Sequence, residues 1–175
     1  MISSIRPKTP KVFEFFSETT KNPTPGSLGY GLGKNGLEPV RGRQLAIFPD
    51  AKGVANVLGH GRVSMIHFDA HADTGDIEFG SLWGHGQPMR RLIESGALRG
   101  DRFLQMGLRG YWPGPETLDW MAAEKMRSYE MTEIVHRGLS ECLTEAFTIA
   151  TDECDGVFLS VDIDVCDPGH APGTG

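Results

Sequence analysis

From residue 44 onward, short apolar runs alternate with amphipathic ones, and few folds accept that alternation. QLAIF (44–48), RVSMIHF (62–68), RFLQMGL (102–108), MRSYEM (126–131) and GVFLSVDID (156–164) have the length and content of strands. Between them lie helical stretches. AKGVANVLG follows Asp50, which is placed to cap it. GQPMRRLIES (86–95) puts Met89, Leu92 and Ile93 on one face, and Gly96 is placed to end it. GPETLDWMAAE (114–124) carries Pro115 in its first turn, where a missing N–H costs nothing. TEIVHRGLSECLTEAFTIA (132–150) reads as one long helix with an apolar stripe of Ile134, Val135, Leu139, Cys142, Leu143, Ala146, Phe147 and Ala150. Strands that alternate with helices predict a parallel α/β sheet covered on both faces.

Residues 1–43 show neither period and form a poorly defined N-terminal segment, leaving 44–175 as the α/β domain. Within them TKNPTPGSLGYGLGKNG (20–36) reads as loop, and KVFEFF (11–16) suits a short helix or strand. The net charge of -6 argues against a nucleic-acid partner, since phosphates call for a basic face. Cys142, Cys154 and Cys166 contain no CxxC pair and read as free thiols. No signal peptide and no membrane-length apolar run is visible, so the expected location is the cytoplasm, without a membrane partner.

Two acidic clusters fall where the chemistry of such a sheet belongs. In open parallel sheets, ligands sit beyond the carboxyl ends of the strands. HFDAHAD follows the strand RVSMI, and SVDID ends the strand GVFL. Asp69, His71 and Asp73 stand at i, i+2, i+4, which in extended backbone point to one side, and Asp162 and Asp164 repeat the spacing. Taken alone, D-x-H-x-D is either a metal site or a polar strand end, and D-x-D could cap the next turn. Together they place four carboxylates and an imidazole at one edge, where the carboxylates repel unless a cation intervenes. So oxygen-rich a set suits hard divalent ions such as Mn²⁺, and its size suits two of them bridged by shared carboxylates.

HFDAHADTG, GHGQPMRR and SVDIDVCDPGHAPGTG, in that order, closely resemble the ureohydrolases: arginase, agmatinase and related guanidino-acid hydrolases. The likeness covers residues 63–175, and FLQMGLRGYWPGPE (103–116) looks most like the agmatinase and guanidinobutyrase branch. The resemblance implies a three-layer α/β/α sandwich with a mostly parallel sheet, here incomplete. It implies two Mn²⁺ ions and hydrolysis of a small guanidino compound, such as agmatine or guanidinobutyrate, to urea and an amine by hydroxide formed at the metals. It implies Asp69 and Asp162 as bridging ligands, with His71, Asp73 and Asp164 as the others. Asp73 also matches the carboxylate that holds the nucleophile, and His85 a rim histidine that handles protons, so either is the candidate general acid. Asp167 matches a structural acid. His67 stands where the family has a non-ligand and is read as a buried partner. A homo-oligomer, trimer or hexamer, is implied for the full-length enzyme.

Other residues carry weaker expectations. Tyr111 and Trp112 could line a substrate pocket or simply pack, and Arg109 could pair with a substrate carboxylate or with a surface acid. The family's G-G-D-H-S loop, whose histidine completes the first metal, has no visible counterpart; only His60 and His67 precede Asp69. The family pattern also continues beyond A-P-G-T-G, so the chain reads as a fragment expected to release little urea by itself. The alternatives are an inactive metal-binding remnant of such an enzyme, or a zinc-dependent deacetylase of the same architecture.

Overall fold

The computed structural model describes residues 11–17, 28–33, 36–40, 46–111 and 113–173. Its strands are β1 (Lys11–Ser17), β2 (Leu28–Gly33), β3 (Gly36–Val40), β4 (Val63–Phe68), β5 (Leu98–Leu108), β6 (Arg127–Glu130) and β7 (Gly156–Asp162). They form one sheet in the order β3-β2-β1-β7-β4-β5-β6. From β1 to β6 every pairing in that order is parallel, and β2 and β3 extend the edge antiparallel. The helices are α1 (Ile47–Leu58), α2 (Pro88–Glu94), α3 (Pro115–Ala123), α4 (Met131–Arg137) and α5 (Leu139–Thr151).

Alternation along the strands builds two cores. Val63 and Met65 of β4, Phe103 of β5 and Phe158 of β7 pack with Ile47, Ala51, Val54, Met89, Leu92 and Ile93 of α1 and α2. Ile66, Leu104, Met106 and Val157 point the other way, onto Ile134, Cys142, Ala146 and Ala150 of α4 and α5. The result is the expected helix–sheet–helix sandwich. Burying each large side chain contributes roughly 1.5–3 kcal/mol, so these two faces hold the sheet between its helices. Among the described residues no helix is long and apolar enough to cross a membrane. All three cysteines are free thiols, as expected.

Several elements differ from the sequence expectation. Ile47 and Phe48, read as strand, open α1; Gln44 and Leu45 lie outside the described residues. Ile47 is buried with Ala51, Val54 and Ala55, a helical spacing that a five-residue apolar run is too short to reveal. Asp50 therefore sits within the first turn, and Ala46 takes the N-cap position. The glycine-rich stretch 20–36 supplies β2 and the first residue of β3, held by backbone pairing that leaves no period in the sequence; its other residues lie outside the described ones. The long helix is two helices. Gly138, at φ 88°, breaks it, and Val135, Leu139 and Phe147 are exposed rather than part of the stripe. The third strand begins earlier than read, at Leu98.

Gly107, near the end of β5, is the glycine the site depends on. Its φ is +108°, and a Cβ there would lie 2.7 Å from Val165 Cγ2 and 3.3 Å from the carbonyl oxygen of Asp69. Both neighbours belong to the acidic turns. Gly107→Ala is expected to destabilise the fold by about 1–3 kcal/mol through backbone strain and crowding. Chemical denaturation checks this: an unchanged midpoint would contradict it.

Candidate metal centre

The strand order explains why residues some ninety positions apart meet. The chain runs from β4 outward through β5 and β6, then returns to place β7 on the other side of β4. A sheet whose connections diverge from two neighbouring strands opens a crevice beyond their carboxyl ends. Asp69 follows β4 and Asp162 ends β7, so both acidic segments border that crevice.

Convergence is not achieved by extended backbone. β4 ends at Phe68, and Asp73 takes a φ of 53°, so residues 69–73 form an irregular turn. The turn is pinned by its neighbours. The Asp69 N–H donates to the Met106 carbonyl (3.1 Å) and the Arg109 N–H to the Ala70 carbonyl (3.1 Å). Gln105 Nε2 donates to the Ala72 carbonyl (2.7 Å), and the Met89 N–H to the Asp73 carbonyl (3.2 Å). On the other strand, only Asp162 is in β7; Ile163–Val165 form a 3-10 turn, so Asp164 is placed by helical winding rather than by strand alternation. Asp162 Oδ1 caps that turn by accepting the Asp164 N–H at 3.1 Å.

Asp69, Asp73, Asp162 and Asp164 are all buried, and the His71 side chain is 43% exposed. Their donor atoms form two overlapping groups. His67, Asp69 and Asp73 make one; Asp69, His71 and Asp164 make the other, each with one atom per residue within 4.8 Å of its fellows. Asp69 belongs to both, the arrangement a bridging carboxylate needs. Asp162 is in neither group, though its charge acts on Asp73. His71 Nδ1 stands 2.9 Å from Asp164 Oδ2 and 3.5 Å from Asp69 Oδ1, and Asp164 Oδ1 accepts the Ala70 N–H at 3.0 Å.

The electrostatics describe a site short of positive charge. Burial pushes the Asp73 carboxyl well above its ordinary range, reinforced by the charges of Asp69, Asp162, Asp164 and Glu78. The His71 pKa is pushed up to about 10, first by its hydrogen bond to Asp164 and then by Asp69. Burial would raise Asp69 too, but His67 and His71 outweigh it and hold that carboxyl below its usual range. Both the Asp73 and the His71 shifts run in the direction that crowded, buried carboxylates impose. The donor set fits a cation: two atoms bound to the same ion at about 2.1 Å lie about 3.0–3.4 Å apart, close to the spacings above. Carboxylate oxygens with one imidazole per group suit a hard or borderline divalent ion.

The remaining candidates sort differently. His85 is exposed and joins no donor group among the described residues, but its loop is tied to the acidic turn. The Gly75 N–H donates to the Gly86 carbonyl (2.8 Å), and the Glu78 carboxylate fills the space a Cβ on either glycine would need. His60 is exposed and pairs with Asn56 (2.8 Å). Asp167 is exposed and builds a turn, accepting the Gly169 N–H at 2.7 Å. Tyr111 is fully exposed, and Trp112 lies outside the described residues.

Arg109 differs from the expected surface ion pair. Its half-buried guanidinium donates to the carbonyls of Asp164, Val165 (3.2 Å) and Cys166 (2.9 Å). It thereby clamps the turn that carries Asp164. Gln105 and Gly107 were equally invisible as site residues in the sequence. The one available signal was position: all three lie at the carboxyl end of β5, the strand beside β4.

Three comparisons give this geometry a context. A sequence model of the arginase family matches residues 42–175. The chain is similar to a guanidinobutyrase of Pseudomonas aeruginosa, 38% identical over 118 residues, covering 66% of this chain and 36% of that protein. A guanidinopropionase of the same organism is 38% identical over 138 residues, covering 78% of this chain and 42% of that one. Among solved structures, formimidoylglutamase from Bacillus subtilis aligns with a TM-score of 0.69 at 29% identity, over 75% of this chain and 40% of that one. The chain therefore spans 36% to 42% of the length of these relatives.

Two outcomes are expected of the isolated site. Cation binding displaces the proton on His71, so at pH 7 Mn²⁺ uptake releases at least about one proton per chain and weakens as pH falls. Titration calorimetry in buffers of different ionisation enthalpy reads this directly, and a buffer-independent enthalpy would contradict it. Arg109→Ala loosens the Asp164 turn and is expected to weaken Mn²⁺ binding about 10–100-fold. Arg109→Lys, which restores one donor group, should recover part of that loss in the same titration.

Proposed function

The chain belongs to the arginase family, and we propose that it forms the metal-binding half of an amidinohydrolase that splits a guanidino compound into urea and an amine. The observation that carries this reading is the sharing of Asp69 between two convergent donor groups at the β4–β7 crevice. Two Mn²⁺ ions are the proposed occupants, and Asp69, His71, Asp73, Asp162 and Asp164 would hold them. Bound there, they would supply the Lewis-acid charge that brings the pKa of water toward neutrality.

The protein's own residues supply the rest. A guanidinium carbon is a poor electrophile because its charge is delocalised, so attack must be oriented and the leaving amine protonated. Asp73, buried where the acidic turn ends, is one candidate general acid. His85 is the alternative general acid. The Gly75–Gly86 hydrogen bond ties its loop to the segment just after Asp73, which supports that choice.

The similarity to guanidinobutyrase and guanidinopropionase supports a substrate with a carboxylate tail, guanidinobutyrate above all, with agmatine as the competing choice. Three of the five N–H donors of Arg109 go to the carbonyls of residues 164–166, which favours a role in holding that turn. The same reading takes the full-length enzyme to be a cytoplasmic homo-oligomer.

Full-length protein loaded with Mn²⁺ should release urea from 4-guanidinobutyrate faster than from agmatine, and Asp69→Asn should reduce the rate by at least about 100-fold. A metal-loaded protein that releases urea from neither compound would overturn the proposal.

A further inference from the structure

One row of side chains across the sheet is polar where the row before it is apolar. Ser160 on β7, His67 on β4, Gln105 on β5 and Ser128 on β6 are partners in register, so they stand side by side across four adjacent strands. Side chains alternate along a strand, so all four share one face of the sheet. Two positions earlier on that face stand Met65, Phe103 and Phe158 of the apolar core. Two positions later come Asp69, Gly107 and Asp162. The row therefore separates the core from the acidic turns. Ser160, His67 and Gln105 are fully buried, and Ser128 is half-buried. Polar groups so placed are costly unless they are held, and a whole row of them calls for an explanation.

Their partners lie in the acidic turn. His67 Nε2 stands 3.1 Å from Asp69 Oδ2, as expected of a buried partner. Gln105 Nε2 donates to the Ala72 carbonyl at 2.7 Å, and Ser128 Oγ donates to Gln105 Oε1 at 3.0 Å. The Ala72 carbonyl belongs to the peptide unit that leads into Asp73. Asp73 has a φ of 53°, which a residue with a side chain keeps only where its surroundings impose it. A carbonyl oxygen can only accept, so the amide must turn Nε2 toward Ala72 and Oε1 toward β6. Ser128 meets it there. Without that hydroxyl a fully buried amide oxygen would lose its donor, and the side chain would leave its place to find another.

We propose that Ser128 is a positioning residue of the cation site, acting through Gln105 on the backbone of the acidic turn and so on Asp73. This rests on the metal-dependent reading above and leaves its ligand set unchanged. It gives β6, the edge strand on that side and two strands from β4, a part in the site. Such a relay differs from ordinary packing in one respect. Its two members act as a unit, so removing either one removes the same contribution.

Mn²⁺ titrations of the 175-residue chain test this with a double-mutant cycle. Gln105→Leu should weaken binding at least about tenfold, as loss of a group that orients ligands does. Ser128→Ala should weaken it about fivefold, the worth of one neutral hydrogen bond, and Ser128→Thr, which keeps the hydroxyl, should bind as the wild type does. In the Gln105→Leu background, Ser128→Ala should cost nothing further. Gln105→Met takes the place of the leucine variant if that fails to fold. Losses that multiply in the double variant would overturn the relay. So would a Ser128→Ala chain with a lowered denaturation midpoint but unchanged Mn²⁺ affinity, which would make Ser128 a stability residue alone. Both outcomes leave the metal reading intact, whereas a wild-type chain that binds no Mn²⁺ would overturn that reading and the relay with it.

Discussion

Concentrated negative charge, withdrawn from water, is the condition to which the rest of this site answers. Asp69, Asp73, Asp162 and Asp164 are each no more than 4% exposed. Moving even one carboxylate out of water is costly, and four together cannot all ionise without compensation. Part of that compensation is built in. Backbone N–H groups of residues 70, 71 and 164 donate to the carboxylates, and His71 stands against two of them. Asp73 nonetheless favours its neutral form and His71 its charged one. Crowding of this kind is what a bound divalent ion would relieve.

The topology makes the gathering possible. Had the chain continued outward after β6, the SVDID segment would have ended several strands from HFDAHAD. Its return to the far side of β4 sets the two segments side by side and opens the crevice between them. β5 then contributes a supporting layer. Gln105 steadies the carbonyl of Ala72, Gly107 leaves room for Asp69 and Val165, and Arg109 grips the carbonyls below Asp164. Precision of this kind does not come from strand alternation. The acidic residues sit on turns, and a turn has only the geometry its contacts impose.

That distinction marks what the sequence could and could not tell. β4, α2, α3, β6 and β7 were legible because a buried strand or a capped helix has a period, and the period is written in side chains. The ligand-type residues were legible because their chemistry is unusual at a strand end. Extended spacing is not what joins them, since only Asp162 of the five lies on a strand. The turns bring these residues together, because both acidic segments leave adjacent strands at the same edge. Gly138 shows the opposite failure: an apolar stripe can run through a helix break when one glycine turns the chain and the next helix buries a different face. The role of Arg109 was hidden because backbone carbonyls, its partners, leave no mark in sequence.

The division of labour within the site bears on how the relatives can share it. This chain is 38% identical both to a guanidinobutyrase and to a guanidinopropionase, proteins whose names differ in the length of the acid they act on. Equal likeness to both is understandable if the matched segment carries the bond-breaking chemistry and little of the tail recognition. The described acidic residues, their histidines and the β5 layer crowd around one crevice, and three N–H donors of Arg109 go to backbone carbonyls. Discrimination between tails one methylene apart is worth only about 1–3 kcal/mol and requires a pocket wall at the tail's end. Such a wall can vary without disturbing four buried carboxylates, whereas the carboxylates cannot move without losing the convergence that a cation would need.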